Sequence, residues 1–144
     1  RSILSETDKQ QDADAFNGIM NAFRMSKKTI EDQNARNHQI ESATKYAIEV
    51  PLSIMKLSYK TLLLSKKIIR LGNQNSLSDA GVSVELSVAS INGAYMNVLI
   101  NLKDINDNKY AQRILKKVGT IIEKSEKEVA LARGAIYKKL KWVT

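Results

Sequence analysis

The sequence predicts an all-α fold, a bundle of four to five long antiparallel helices in a single domain. Apolar residues recur at spacings of three and four along nearly the whole chain, which is the period of an amphipathic helix. The chain has only one proline and six glycines, and no Asn-Gly pair separates alternating apolar runs as in a β-hairpin. Its 144 residues are enough for one domain with one hydrophobic core.

The first predicted helix runs from about Ser5 to Met25. Phe16, Met20 and Phe23 follow each other at spacings of four and three, so we expect them to form a core stripe. Residues 26–28 are polar and form the predicted connection to the next helix.

The second predicted helix begins after Thr29, with Asp32 three residues later as a weaker form of the capping box. We expect it to end near Glu49, because Val50 precedes proline and such residues avoid the α region. Pro51 suits the first turn of a new helix. A kink within one long helix is the alternative at this point.

The third predicted helix runs from Pro51 to Leu71 and ends at the C-cap pair Gly72-Asn73, which opens a loop over residues 72–78. The fourth is capped by Ser78 or Asp79 and runs to about residue 102. The last spans about residues 109–141 and carries an apolar seam of the coiled-coil kind. One side of the third helix is basic, with Lys56, Lys60, Lys67 and Arg70.

The fourth predicted helix combines an apolar composition with a polar stripe. Asp79 and Glu85 are its only charged residues, so we expect it to be buried nearly all round. A stripe at spacings of three and four occupies about a quarter of its circumference. Two interpretations are open: close helix packing with Ser hydroxyls bonded back to the chain, or a ligand groove, because buried Asp and Asn need partners. The stripe consists of Asp79, Ser83, Ser87, Ser90, Ala94, Asn97 and Asn101.

The first helix carries a similar polar face, formed by Asp14, Asn17, Asn21 and Arg24. Asp12 falls instead in line with the predicted core stripe. It is therefore either an N-terminal capping group or a functional acid.

Composition excludes several kinds of site. Without cysteine, the chain has no disulfide, thiolate metal site or Cys nucleophile. The chain has a single histidine, His38, which rules out a multi-histidine metal site. His38 lies in a polar stretch and is expected to face solvent. The net charge of +8 fits either a solvated surface or an anionic partner. Arg1 opens a polar segment rather than a signal peptide, and no apolar run approaches the roughly 20 residues that span a bilayer, so we expect a cytoplasmic protein.

Several segments resemble the cyclodeaminase domain of formiminotransferase-cyclodeaminase and its relatives, the methenyltetrahydrofolate cyclohydrolases. They occur in the family's order, and the last of them is long and specific. After Tyr110 only the helical character is similar. The matching stretches are residues 12–17, 23–25, 50–52, 72–73, 78–82 and 93–102, the last reading Gly-Ala-Tyr-Met-Asn-Val-Leu-Ile-Asn-Leu.

The resemblance implies two related reactions on reduced folates, cyclisation of 5-formiminotetrahydrofolate with loss of ammonia and hydrolysis of 5,10-methenyltetrahydrofolate. Neither needs a metal or redox cofactor, so the folate substrate is the only small molecule expected, and carboxylates remain as the acid/base groups. The resemblance implies Asp79 as the leading catalytic carboxylate and Asp12 as the second. Amide groups would bind the pterin or orient water, and basic groups would meet a glutamate or polyglutamate tail. The implied substrate-binding residues are Asn17, Arg24, Lys27, Asn73, Ser78, Asn97 and Asn101.

The family's domain begins with further helix and a Gly-rich segment that has no counterpart here. We therefore expect residues 1–144 to form a single cyclodeaminase-like domain that lacks the N-terminal part of the family domain. The apolar third and fourth helices suggest a homodimer or larger assembly.

Two functions from other classes are the alternatives. The basic stripe would suit a helical nucleic-acid-binding module, although no recognition-helix motif accompanies it. The seam of the last helix would suit a non-catalytic assembly protein.

Overall fold

A computed structural model describes residues 6–140, without the side chains of residues 6–9, 12 and 74. Four α-helices account for most of these residues, and a short 3-10 turn at Gln74–Ser76 precedes the third. No strand occurs between residues 6 and 140, so the predicted all-α fold is confirmed. The helices are α1 (Glu6–Phe23), α2 (Ile30–Leu71), α3 (Leu77–Leu102) and α4 (Asn108–Leu140).

Helix α2 is the central element, and the other three pack against it. Helix α1 folds back along its N-terminal half, where Ala15 joins Ala47 and Val50 in a small core. Helix α3 runs antiparallel to α2, and α4 runs parallel to it. The main core lies among α2, α3 and α4, and its fully buried side chains include Ile48, Leu52, Met55, Leu62, Ile69, Val84, Ile91, Val98, Ile114 and Val118.

Helix α2 continues through Pro51, so the predicted break at Val50-Pro51 is wrong and the alternative of one long helix is the observed one. Proline has no N–H to donate to the carbonyl four residues earlier, which here belongs to Ala47. The Nδ2 of Asn101 donates to that carbonyl oxygen at 3.3 Å. A side chain of α3 therefore supplies the hydrogen bond that Pro51 removes from α2.

The predicted cap at the start of α2 is confirmed, because the Thr29 hydroxyl accepts a hydrogen bond from the Asp32 N–H at 3.0 Å. At the other end, Gly72 has extended rather than left-handed backbone, and a Cβ there would lie 2.6 Å from the Ile68 oxygen. Position 72 therefore requires glycine because the Ile68 carbonyl oxygen leaves no space for a Cβ.

The predicted start of α3 is two or three residues late, since the helix begins at Leu77 after the turn at Gln74–Ser76. Ser76 is the N-cap residue, without a side-chain capping bond. Ser78 and Asp79 therefore lie within the first turn of α3 and do not cap it. The reason is the 3-10 turn, which already directs the chain into the helix.

The predicted core stripe of α1 is wrong, because Phe16 is 64% exposed and Phe23 51% exposed. Helix α1 contacts α2 through smaller residues on the neighbouring face, with Ala15 and Ala22 buried. Small side chains let two helices approach closely, and that contact leaves the bulky stripe outside. Periodicity identifies an apolar face but does not show which face meets the neighbour.

The junction between α3 and α4 is held by Glu41 of α2. Its carboxylate accepts hydrogen bonds from the N–H groups of Asn106 and Asp107, and Lys45 contacts both acids. Burial acts to raise the pKa of Glu41, but the bonds from Asn106 and Asp107 together with Lys45 outweigh it and lower that pKa. These contacts fix the register of α4 against α2.

Within residues 6–140, no helix combines the length and the apolar character that crossing a membrane requires.

Candidate functional site

An open groove of about 380 Å³ lies between the C-terminal half of α2 and the N-terminal half of α3. Both helices contribute hydroxyl groups to it, and α3 also contributes one carboxylate and two aliphatic side chains. The lining residues are Ser58, Thr61, Asp79, Val82, Ser83, Leu86, Ser87 and Ser90.

The serines of the groove join α2 to α3. The hydroxyl oxygens of Ser58 and Ser90 lie 2.7 Å apart, and those of Ser65 and Ser83 are also 2.7 Å apart. Ser87 donates to the carbonyl oxygen of Ser83 one turn earlier at 2.8 Å. The close-packing interpretation of the polar stripe is therefore confirmed for its serines. The same serines border an open cavity, and the ligand-groove interpretation stays a prediction.

Asp79 is the only acid among the lining residues of this groove. Its side chain is exposed, lies in the first turn of α3 and makes no hydrogen bond or ion pair with another described residue. The partial positive charge at a helix N-terminus favours a carboxylate in that position. The carboxylate is thus free to meet a ligand.

The prediction that α3 is buried nearly all round is wrong. Met96 is 67% exposed, Ile100 is 60% exposed, and Val82 and Leu86 at the groove are also exposed. Among the described helices, only α2 and α4 cover α3 substantially. An apolar composition predicts that a helix face is shielded from water, but it does not identify the surface that covers that face.

The other predicted site residues of α3 and of the turn before it do not line the groove. Ser78 is exposed next to Asp79, and Asn97 is exposed beyond the groove. Asn73 lies in the turn before α3, where its Oδ1 accepts from the Ser76 N–H at 3.1 Å. Asn101 bonds to Ala47, as described above.

The predicted residues of α1 and its following loop lie beside the N-terminal half of α2. Asn17, Arg24 and Lys27 are exposed, and the Asp12 side chain lies outside the described part. At 1.5 Å per residue, the first turn of α2 and Thr61 are separated by about 46 Å along the helix axis. One chain therefore does not bring Arg24 and Lys27 to the Asp79 groove.

His38 is exposed, as predicted. No three His, Asp or Glu side chains of the described residues form a metal-binding group. The residues of the basic stripe of α2 are exposed, and the neighbouring Lys66 is bonded to Glu128 of α4. That side of α2 is separate from the groove.

Sequence reasoning missed the contribution of α2 to the groove. Ser58, Thr61 and Ser65 recur at spacings of three and four, so they share one face of the helix. That spacing is the signal that would have identified them. The apolar and basic residues around them dominate the pattern of the segment.

Comparisons with known proteins agree with this architecture. A family model described as formiminotransferase-cyclodeaminase matches residues 6–120. The chain is 35% identical over 107 residues to methenyltetrahydrofolate cyclohydrolase of Methylorubrum extorquens, covering 74% of this chain and 51% of that protein. It is 30% identical over 128 residues to formimidoyltransferase-cyclodeaminase of Gallus gallus, covering 89% and 24% respectively.

The crystal structure of formiminotetrahydrofolate cyclodeaminase from Thermotoga maritima has the same fold, with a TM-score of 0.82 and 22% sequence identity. The match covers 94% of this chain and 63% of that one. The chain thus spans about half the length of the cyclohydrolase and about a quarter of the chicken protein. With a family model matched over most of its residues and a relative at 35% identity, the chain belongs to the formiminotransferase-cyclodeaminase family.

Proposed function

We propose that this protein acts on reduced folates, hydrolysing 5,10-methenyltetrahydrofolate to 10-formyltetrahydrofolate or cyclising 5-formiminotetrahydrofolate with release of ammonia. Membership of the family supports the substrate class, since its relatives carry these activities in their names. The observation that carries the assignment to a site is the open groove with one unpaired carboxylate, Asp79.

Both reactions pass through one tetrahedral carbon between N5 and N10 of the folate. In hydrolysis, water adds to the methenyl carbon, the bond from this carbon to N5 breaks, and one proton is released. In cyclisation, N10 attacks the carbon of the protonated formimino group, the N10 proton moves to the formimino nitrogen, and ammonia leaves, which gives the methenyl cation. Each sequence needs a group that accepts and returns protons, which a positioned carboxylate provides.

The groove supplies three properties that this chemistry requires. Asp79 provides a negative charge that favours the cationic methenyl group. The hydroxyls of Ser83 and Ser90 provide hydrogen-bonding positions along the same wall. Val82 and Leu86 provide apolar surface against which a flat ring system packs.

The remaining predicted site residues, which are not among the described lining residues of the groove, have secondary roles in the proposal. Asp12 stays the second candidate carboxylate. Ser78 and Asn73 lie nearest to Asp79 in sequence and Asn97 lies on the same face of α3, so they are candidates for contacts at the ends of the substrate. Asn17, Arg24 and Lys27 would reach a substrate tail in this groove only from a second copy. The cytoplasmic location expected from the sequence also remains part of the proposal.

The proposed activity is tested by giving the protein each substrate separately. We expect either the loss of methenyl absorbance to exceed the spontaneous hydrolysis rate, or ammonia to be released from the formimino compound. The two assays separate the two reactions, because only the second produces ammonia. Absence of both activities in protein that binds no reduced folate would rule the proposal out.

We also propose that the protein is a homodimer whose subunits meet over the groove. On α3, the residues of the outer face follow spacings of 4, 3, 4, 3 and 4, and α2 presents a neighbouring series at spacings of 4, 3, 4 and 3. This spacing matches helix-to-helix packing with another pair of helices. The two seams are Val82, Leu86, Ala89, Gly93, Met96 and Ile100 on α3, and Leu57, Thr61, Leu64, Ile68 and Leu71 on α2.

A second copy would cover both seams at once. A two-fold axis would pack α2 and α3 of one subunit against α2 and α3 of the other, as in a four-helix bundle. The seams flank the groove, so the partner would cover it and exclude water from the reacting folate. The dimer would therefore complete the site as well as bury the apolar face.

We expect Met96→Lys and Ile100→Lys to raise the Kd of the dimer by about tenfold or more, because each puts a charge into an apolar interface. Sedimentation velocity over a range of protein concentrations measures this change. Leu131→Lys is the matched control, since this exposed leucine lies on α4 outside both seams. A protein that is monomeric at all concentrations before substitution would disprove the dimer.

A further inference from the structure

The hydroxyl groups of the groove differ in which of them still have a proton to donate. A Ser or Thr hydroxyl has one proton and two acceptor lone pairs. Where its proton is already directed at a carbonyl oxygen, the hydroxyl can only accept from a ligand. The hydrogen bonds between α2 and α3 therefore determine the polarity of the groove.

The hydroxyls beside Asp79 have no proton left. Ser65 donates to the Thr61 carbonyl at 2.9 Å, so when both bonds form together the proton in its 2.7 Å contact with Ser83 comes from Ser83. Ser87 donates to the Ser83 carbonyl, and Thr61 donates to the Leu57 carbonyl at 3.1 Å. Ser83, Ser87 and Thr61 can thus offer a ligand only lone pairs.

The Ser58–Ser90 pair at the other end of the groove differs. Their 2.7 Å contact uses one of two protons, and neither hydroxyl has another partner among the described residues. One proton remains for a ligand. Because the Asp79 carboxylate also only accepts, the described lining side chains form a long acceptor stretch and one donor position, about 16 Å along α3 from Asp79.

We propose that this acceptor stretch selects the pterin ring by its amino-pyrimidine edge, with Ser83 as the specificity-determining residue, an inference that rests on the folate function proposed above. The 2-amino group and N3–H of a pterin are neighbouring donors, so they complement hydroxyls that only accept. Asp79 then remains beside the one-carbon unit. A ligand without the 2-amino group leaves buried lone pairs unpaired, which costs binding free energy.

The test compares binding of 5-formyltetrahydrofolate with that of its 2-desamino-2-methyl counterpart by calorimetry. We expect the native protein to bind the desamino compound more weakly by about tenfold or more, the factor one well-formed hydrogen bond supplies. Ser83→Ala should weaken binding of the amino compound and leave binding of the desamino compound unchanged, which reduces the ratio of the two affinities. Ser83→Thr retains the hydroxyl and should retain the native ratio of affinities.

Ser53→Ala is the matched control, because the Ser53 hydroxyl bonds to the Val50 carbonyl outside the groove. A purely structural role of Ser83 would weaken both compounds equally and would refute its assignment. Equal affinity of the native protein for both compounds would refute the selection while leaving the folate function intact. Binding of neither compound would refute the folate function itself.

Discussion

Replacing Asp79 by Asn is expected to lower the rate of the folate reaction by about 10²–10⁴-fold, the range that a positioned general acid or base contributes. Asparagine has nearly the same shape but neither exchanges a proton in this way nor carries a negative charge. It removes the only carboxylate among the lining residues of the groove. The measurement is the initial rate of methenyltetrahydrofolate hydrolysis, or of ammonia release, across a range of pH.

The effect of Asp79→Asn on folding should be small. Losing an acid from an exposed first turn costs about 0.3–1 kcal/mol of helix stability. Asp104→Asn is the matched control, since that carboxylate is exposed in the connection after α3, beyond the opposite end of the helix. The assignment of Asp79 fails if Asp79→Asn retains the native rate and pH profile. A rate loss shared equally with Asp104→Asn would also count against it.

The second large effect is expected at the contact between Asn101 and Ala47. Asn101→Leu should lower the free energy of unfolding by about 1–3 kcal/mol, because it leaves a carbonyl of α2 without a partner. Pro51→Ala should stabilise the protein by up to about 3 kcal/mol, since alanine restores the helical N–H and removes the ring from the helix interior. Denaturant unfolding monitored by circular dichroism measures both changes.

The combination of the two substitutions is the decisive measurement. In the Pro51→Ala background the new alanine supplies an N–H to the Ala47 carbonyl. Asn101→Leu should then cost about 0.5–3 kcal/mol less than it does beside proline, the usual coupling of residues in contact. Asn97→Leu, on an exposed turn of the same helix, should change stability by about 0.5 kcal/mol or less in either background. An unchanged cost of Asn101→Leu in both backgrounds would show that this residue does not compensate for the proline.

Asn101 is bonded to α2, whereas Asp79 faces the open groove. The difference shows how far a stripe of polar residues can be interpreted from sequence. Periodicity placed both on one face of α3, and both do lie on the side directed toward α2 or the groove. Their chemistry depends on what α2 presents at each level. Opposite Asn101 it presents an unpaired carbonyl, and opposite Asp79 the space remains open.

Local sequence by itself determined the helical class, the cap at Thr29, the end of α2 at Gly72 and the polar stripe of α3. These features depend on spacing and on bonds between residues a few positions apart, which the chain specifies without reference to its neighbours. The motifs between residues 12 and 102 likewise indicated the family from sequence alone.

Only the tertiary structure decided which faces meet. It left Phe16 and Phe23 outside because α1 approaches α2 through small residues, and it carried α2 through Pro51 because α3 supplies the missing donor. It also brought Ser58 and Thr61 of α2 beside Asp79 to form the groove. These outcomes depend on contacts between residues far apart in the chain, and their free energies are set by close packing and by which polar groups remain unpaired.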